Sequence, residues 1–474
     1  MTAASDDGLH DRLRRAARLA DAGSLEQAQA ALDDAPSSAR TSPLFMAVQA
    51  SVAARSVSEP RRLREAARLY KRLKKTPHWT AQFANDYGNV LKLLGDLDGA
   101  GAEIRDAATL RPDLPGVFGN LAAVHYEAGD WGPAERYARE ALRRDPKDAR
   151  ARRALGHLML GAARFEEGWR AYEARFDLPG KPSAPAPLRD LPRWAGEPLG
   201  DRRLACWSEQ GVGEHVLFGS LVAELAAAHP GQVAYVVDPR MQALFARSVP
   251  EAMVFASDAL DGLAADLQAP IGATGPALRP DEASFRDHGP YLKADPERRA
   301  QMRDWLRTLG PGRRIGLSWR SSKTRAADKK SIPLETWGPV LKRPDMVFVN
   351  LQYGETDAEI RAAKSKTGAL VASHPELDRT DDIDGLTALI SELDLVVTTS
   401  NVTAHLAGAA GLGGLVLLPT APFWFWGYRG EERSLWHPSL ELVRRTSPAS
   451  WGPSLRAAAA WLDARRGGAE NARL

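Results

Sequence analysis

Cysteine is almost absent from this sequence of 474 residues. Cys206 is the only one, so no internal disulfide can form, which fits a reducing compartment. An excess of charge of either sign is also lacking, because 63 Lys and Arg residues stand against 60 Asp and Glu residues for a net charge of +3. No overall field therefore favours nucleic acid or an anionic membrane, and any phosphate site must be local.

Long apolar runs are missing as well. The most apolar stretch, 415–426, is interrupted by Pro419 and Pro422 and is too short to span a bilayer. The first 23 residues carry acids early and contain no apolar core of signal-peptide length. These absences predict a cytoplasmic protein without membrane insertion.

Recognisable metal and phosphate-loop motifs are absent too. The sequence contains no HExxH, no paired CxxC and no Walker loop. Asp381 and Asp382 begin a predicted helix, where they are expected to cap it rather than to hold a metal. We therefore expect chemistry that uses neither a metal nor an organic cofactor.

What the sequence does contain, over residues 1–178, is a helical repeat. Apolar residues occur at helical spacing, and matching residues recur 34 positions apart: Gly95 and Gly129, Ala107 and Ala141, Pro112 and Pro146. A period of 34, with small residues at helix crossings and a closing proline, is typical of tetratricopeptide repeats. Copies at 81–114 and 115–148 are clear, a third follows at 149–176, and 7–77 reads as more degenerate helix pairs. A generic helical bundle is the alternative.

The pattern changes after the repeats. Residues 179–200 are rich in proline and predict a linker or an extended segment that lies over a domain. From Arg203 onward, short β-branched runs alternate with helical stretches, which predicts parallel sheets covered by helices. We divide this region into two Rossmann-like domains, 201–310 and 311–474, facing across a cleft. Ligands of such sheets bind beyond the carboxyl ends of the strands, where the candidate motifs lie.

The first candidate motif is EQGVGE at 209–214, between a predicted strand and a predicted helix. Gly211 and Gly213 permit a tight turn and let a ligand approach the amides at the helix N-terminus. Glu214, in the first helical turn, would accept a proton from an acceptor hydroxyl. The alternative is that Glu214 only complements the helix dipole.

The second candidate is a cluster of basic residues in the loop after the strand that ends at Trp319. Arg320, Lys323 and Lys330 would stabilise the charge that develops on a leaving nucleoside phosphate. A solvated basic loop is the alternative, but the position directly after a buried strand favours the phosphate role.

A third candidate follows the predicted strand at 393–399. Ser400 or Asn401 would cap the next helix, and Thr403 would lie in its first turn. Together these groups would form a binding site for a diphosphate at the helix N-terminus. His405 would reach the same phosphates, unless it is a satisfied core histidine. In the aromatic stretch 423–439, Trp426 is the best candidate to stack on a base or sugar, although such rings also close a core.

Six segments occur in a fixed order: FEEGWRAYEARF, EQGVGE, GLSWRSS with KKSIPL, VNLQYGE, the stretch from DDIDG to LAGAAG, and LWHPSLELVRR. In this order they resemble bacterial tetratricopeptide-containing glycosyltransferases, which are related to heptosyltransferases and more distantly to O-GlcNAc transferase. The resemblance covers about residues 81–465. It implies a GT-B fold, metal-independent transfer from a nucleotide sugar, and a donor site in the second Rossmann domain that includes Gln352. Within that family, the chain resembles members that carry helical repeats and act on bacterial flagellin.

The chain departs from that family pattern at three positions. Glu214 stands where the family usually has Asp after the glycine, Lys330 stands where Arg is usual, and Ser400 stands where Asp is common. These changes are compatible with a different donor or with reduced activity.

The leading hypothesis is an α-helical tetratricopeptide solenoid followed by an α/β GT-B region, acting as a protein O-glycosyltransferase. A nucleotide sugar is the expected co-substrate, and a protein acceptor, flagellin on the family resemblance, is expected to dock on the helical repeats. One alternative is a transferase for lipopolysaccharide or another glycan, whose solenoid serves assembly into a homo-oligomer. The other is a non-catalytic scaffold with a degenerate transferase fold.

Overall fold

The structure is a computed structural model, and it describes residues 3–286, 289–321, 329–448 and 450–465. The chain forms two compact units, Met1–Leu155 and Gly156–Leu474. The first unit is helical, and consecutive helices pack against each other in pairs. They are α1 (Ala3–Asp21), α2 (Leu25–Asp33), α3 (Pro43–Arg55), α4 (Pro60–Leu73), α5 (Ala81–Leu94), α6 (Leu97–Leu110), α7 (Val117–Ala128) and α8 (Trp131–Arg144), followed by α9 (Ala149–Gly161) across the boundary.

The predicted repeat is visible in the backbone at the helix ends. Gly95 and Gly129 follow α5 and α7 with φ of +88° and +82°, the left-handed conformation that ends many helices. Ala163, another 34 positions along, has φ of +58° and is the only non-glycine residue with positive φ in the part of the chain that the structure describes. A Cβ on Gly88 would lie 2.4 Å from Cγ1 of Ile104, so this glycine lets α5 and α6 touch. The tetratricopeptide-like fold of this region is confirmed.

After the end of α9, the second unit continues with α10 (Phe165–Tyr172) and contains two parallel sheets. The first sheet has the strand order β3-β2-β1-β4. Its elements are β1 (Leu204–Trp207), α11 (Val212–Ala228), β2 (Val233–Val237), α12 (Gln242–Ser248), β3 (Met253–Ala256), β4 (Leu267–Pro270) and α13 (Gly275–Leu278). The chain adds strands on one side of β1 and then places β4 on the other, so a topological switch point lies between β1 and β4.

The second sheet has the order β10-β9-β8-β5-β6-β7 and is also parallel. Its switch point lies between β5 and β8. Its elements are α14 (Pro296–Thr308), β5 (Arg313–Ser318), α15 (Gly338–Leu341), β6 (Met346–Asn350), α16 (Asp357–Thr367), β7 (Val371–Ala372), α17 (Ile383–Ile390), β8 (Leu395–Thr399), α18 (Val402–Ala409), β9 (Gly414–Leu418), β10 (Leu440–Arg444) and α19 (Gly452–Asp463). Two parallel α/β sheets after a helical repeat region are the fold class that the sequence predicts.

The end of the repeat sequence packs on the first sheet. The indole of Trp169 donates to the carbonyl of Arg279 at 2.8 Å, and Arg175 forms a buried ion pair with Glu209. Further along, the amide of Trp194 donates to the carbonyl of Gln268 on β4, so the proline-rich segment also lies against this sheet. Residues 156–200 therefore belong to the α/β unit by packing, and the proposed divisions at 178, 200 and 310 stay predictions.

Two further features bear on the membrane and on the single cysteine. No helix in the described ranges is both long and apolar enough to cross a membrane. Cys206 lies on β1 with no exposed surface, and burial raises the pKa of its thiol to about 12.

Candidate functional site

A cavity of about 350 Å³ lies at the carboxyl ends of both sheets, at their two switch points. Residues after β1 and β2 line one side, and residues after β5, β6, β7, β8 and β9 line the other. Seven residues predicted from the sequence lie on its wall: Gly211, Gly213, Glu214, Lys330, Ser400, Asn401 and His405.

The first wall is the turn from β1 into α11. Gly211 is the N-cap residue of α11 and offers no side chain to its amides, which leaves the helix end open to a ligand. A Cβ on Gly213 would lie 3.1 Å from Cδ2 of His405, so a glycine here lets the two sides of the cavity approach closely. Glu214 follows in the first turn. Burial raises the pKa of its carboxyl, while a backbone hydrogen bond and the charge of Lys330 partly offset that rise.

Lys330 supplies positive charge within the cavity. Burial lowers the pKa of Lys330 to about 8, and the carboxylate of Glu214 partly offsets that effect. The ammonium nitrogen lies 3.9 Å from the ring centroid of Phe423, a cation–π contact that holds it beside the cavity. A half-buried amine with a pKa near 8 is a cation that nearby anions readily stabilise.

The N-terminus of α18 forms the opposite wall. The side-chain oxygen of Asn401 caps the helix by accepting from the amide of Thr403 at 3.0 Å. The Asn401 amide also donates to Oγ of Ser318 at 2.7 Å and to the carbonyl of Arg320 at 3.0 Å, which ties the ends of β5 and β8 together. The hydroxyls of Ser400 and Thr403 are buried without a hydrogen-bond partner in the described part of the chain. Buried hydroxyls are normally paired, so this helix end is suited to a polar ligand.

His405 lies on α18 with its ring between this cavity and the core. Its Nδ1 is 3.1 Å from Nε2 of His437, and its ring stacks on Trp426 with 5.2 Å between centroids. Burial, reinforced by the charge of Lys330, lowers the pKa of His405 to about 3. The imidazole is therefore neutral at ordinary pH.

Four predicted residues lie behind the cavity wall rather than on it. Gln352 is fully buried, and its oxygen accepts from the backbone amides of Trp319 and Arg320. The guanidinium of Arg320 pairs with Glu359 at 3.0 Å. Thr403 and Trp426 are also buried, Trp426 with 1% of its surface exposed beneath His405. Lys323 lies outside the described residues.

The structure adds residues that the sequence reasoning missed. Arg240, Tyr353, Arg379, Phe423 and Phe425 line the same cavity. A signal for Arg240 was present, because it follows the end of β2 by three positions, much as Gly211 follows the end of β1 by four. Its guanidinium donates to the carbonyl of Thr380, from the other side of the cavity, at 3.2 Å. Phe423 and Phe425, rather than Trp426, are the rings of the aromatic stretch that face the cavity.

Comparison with known proteins adds a sequence relative. No protein-family model matches the sequence. Protein FlbA of Caulobacter vibrioides is 32% identical over 391 residues, which cover 78% of this chain and 65% of FlbA. The chain thus spans less than two thirds of the length of that relative.

Solved structures resemble separate parts of the chain. A family 9 glycosyl transferase from Veillonella parvula matches 56% of this chain and 92% of its own, with 13% identity and a TM-score of 0.39. PilF of Pseudomonas aeruginosa matches 36% of this chain and 77% of its own, with 20% identity and a TM-score of 0.32.

Proposed function

We propose that the chain is a protein glycosyltransferase of GT-B type that takes its sugar from a nucleotide sugar. The observation that carries this proposal is the placement of Glu214, Lys330 and the α18 N-terminus around one cavity at both switch points. An acid of raised pKa, a half-buried cation and a helix end with the unpaired hydroxyl of Ser400 are groups suited to transfer from a phosphate leaving group.

Each group has a defined step in this proposal. Glu214 takes the proton of the acceptor hydroxyl as its oxygen bonds to the anomeric carbon of the sugar. The bond from that carbon to the phosphate oxygen breaks, and the nucleoside phosphate leaves with the bonding pair. Lys330, the positive N-terminal end of the α18 dipole and the Ser400 hydroxyl stabilise the leaving charge. These groups supply the positive electrostatic environment without a metal.

Titration of the purified protein with UDP, GDP, CMP and ADP tests donor binding. We expect one of the four to bind clearly more tightly than the others and thereby to identify the donor class. Binding of none of them contradicts the proposal and favours the scaffold hypothesis.

Because the pKa of Lys330 is lowered, we expect nucleotide affinity to depend on pH. Its ammonium is charged below about pH 8 and loses its proton above that pH. Phosphate binds the charged form, so affinity is full below pH 8 and decreases as the pH rises beyond it. Calorimetric titration between about pH 7 and 10 measures this, and Lys330→Arg, which stays charged over that range, removes the decrease.

Lys330→Ala is the stronger variant for the same contact. It weakens nucleotide binding by ~1–3 kcal/mol, the scale of a lost charged hydrogen bond. Lys364→Ala, on the exposed face of α16, is the matched control and leaves affinity unchanged. Wild-type affinity in Lys330→Ala would remove this residue from the phosphate site.

The helical repeats are proposed to bind the acceptor protein. Stacked helix pairs present a continuous groove of the kind that holds extended or helical protein segments. On the sequence resemblance, flagellin is the first acceptor to test. A fragment 149–474, which keeps α9 whole at the boundary between the two compact units, should bind nucleotide as the whole chain does and fail to glycosylate flagellin. The fragment 1–155 should bind flagellin in a pull-down.

Failure of the repeat fragment to bind flagellin would also distinguish between the hypotheses. If 1–155 ignores flagellin and forms dimers, the acceptor proposal is wrong and a glycan transferase that uses the repeats for assembly becomes the better hypothesis. Size-exclusion chromatography with light scattering separates the two outcomes.

A further inference from the structure

His437, which the site described above does not use, lies directly behind His405. It is 3% exposed, and its Nε2 is 3.1 Å from Nδ1 of His405. The amide of His437 donates to Oγ of Ser434 at 3.1 Å, and a Cβ on Gly408 of α18 would lie 2.4 Å from the His437 ring. The chain thus fixes this ring against α18, and the absence of a side chain at Gly408 makes room for it.

The other edge of the His405 ring faces the cavity. A Cβ on Gly213 would lie 3.1 Å from Cδ2 of His405 and 3.7 Å from its Nε2. Phe425 packs against the ring at a steep angle and Trp426 stacks on it, so two aromatic side chains restrict its orientation. With Nδ1 turned toward His437, Nε2 is the nitrogen available to a ligand.

The contact between the two nitrogens restricts where protons can be. A neutral imidazole has one N–H and one lone pair, and a hydrogen bond between two ring nitrogens needs one of each. If His437 donates to Nδ1 of His405, the proton of His405 is on Nε2 and points toward the cavity. In the reverse arrangement a lone pair points there, and a lone pair repels an anionic oxygen.

We propose that His437 is a positioning residue that holds His405 in the tautomer whose Nε2–H donates to a phosphate oxygen in the cavity. This inference rests on the proposed function, because the anion is the phosphate group of the nucleotide-sugar donor. His437 itself touches no substrate.

The first test reads the tautomer in the full-length wild-type protein. Long-range proton–nitrogen correlation spectra of ¹⁵N-histidine-labelled protein, saturated with inorganic pyrophosphate, distinguish a protonated from an unprotonated ring nitrogen. His405→Gln identifies its signals. We expect His405 to be protonated at Nε2, and protonation at Nδ1 would overturn the proposal.

The second test removes the hydrogen bond that His437 donates to His405. His437→Leu removes the hydrogen bond and should raise the Kd for pyrophosphate by about tenfold or more, whereas His437→Gln keeps an N–H near the same place and should restore affinity. His374→Leu, at a histidine outside the cavity that packs on Trp305, is the control and should bind as wild type. Equal affinity in wild type and His437→Leu, or no restoration by His437→Gln, refutes the positioning role. If His437→Leu does not fold, the wild-type spectra decide.

The same measurements separate this inference from the proposed function. Sugar transfer by a wild type whose His437 variants bind normally leaves the proposed function standing and removes the inference. Pyrophosphate binding that depends on His437, in a protein that transfers no sugar, does the reverse. A wild type that binds neither nucleotide nor pyrophosphate overturns both.

Discussion

Glu214→Gln is expected to lower the turnover of sugar transfer by ~10²–10⁴-fold while nucleotide affinity holds. The amide keeps the shape of the side chain at the first turn of α11 but cannot take a proton. Because burial raises the pKa of Glu214, wild-type turnover should decline as the pH falls through that raised value, where the base becomes protonated. The glutamine variant should lack this acidic limb.

Glu214→Asp is the matched variant for the same reaction. It retains a carboxylate one methylene shorter, which is the residue that the resembling family usually has at this place. We expect it to keep measurable turnover with the acidic limb of its pH profile. Near-normal turnover in Glu214→Gln would show that this acid only complements the dipole of α11. Single-turnover assays on flagellin, with product detected by mass, measure all three proteins.

Arg175→Met is expected to lower the free energy of unfolding by about 3–5 kcal/mol, the cost of leaving a buried carboxylate without its partner. The Arg175 guanidinium donates to both oxygens of Glu209 at 2.9 Å, and the two side chains are 6% and 0% exposed. One of those oxygens also accepts from the amide of Gly272. Urea denaturation followed by tryptophan fluorescence gives the free energy.

A double variant shows whether the unpaired charge is the cause. Arg175→Met combined with Glu209→Gln should recover much of the lost stability, because the neutral amide still accepts from Gly272 and needs no cation. Arg170→Met removes an exposed ion pair with Glu166 on α10 and should change stability by less than about 0.5 kcal/mol. An Arg175→Met protein as stable as wild type would contradict this account of the buried pair.

Local signals predicted the part of the site that follows a strand directly. Gly211, Gly213, Ser400 and Asn401 each lie at a junction from a buried strand to a helix, and the backbone rules for parallel sheets place such junctions at one edge. The orientation of the Trp426 side chain could not be predicted in this way, because a run of aromatic residues has no period that shows which ring faces a cavity and which faces the core. Arg379 was missed because its place depends on the segment after β7 lying against the loop after β6, where its guanidinium donates to the carbonyl of Gln352 at 2.9 Å. No local pattern encodes such a long-range contact.

For the fold as well, local patterns in the sequence predicted some elements, whereas elements that depend on long-range pairing were not predicted. The spacing of 34 predicted the repeat. The structure extends that spacing to Ala163, which has the left-handed conformation that glycine adopts in two other copies. The strands β4 and β10 were not predicted. The first ends in a proline and includes Gln268, and the second carries Glu441 between two leucines and ends in Arg444, so neither forms a long apolar run. Pairing with already buried neighbours, rather than composition, makes them strands.

The burial of Cys206 leaves the whole surface of the protein without a thiol. Its sulfur lies inside β1, and the high pKa keeps it from forming the reactive thiolate at neutral pH. Maleimide and iodoacetamide reagents should therefore leave the folded protein unmodified. A cysteine introduced at an exposed position on each side of the cavity would consequently be the only reactive pair, and dye labels placed there would report the opening and closing of the cleft in an otherwise unaltered chain.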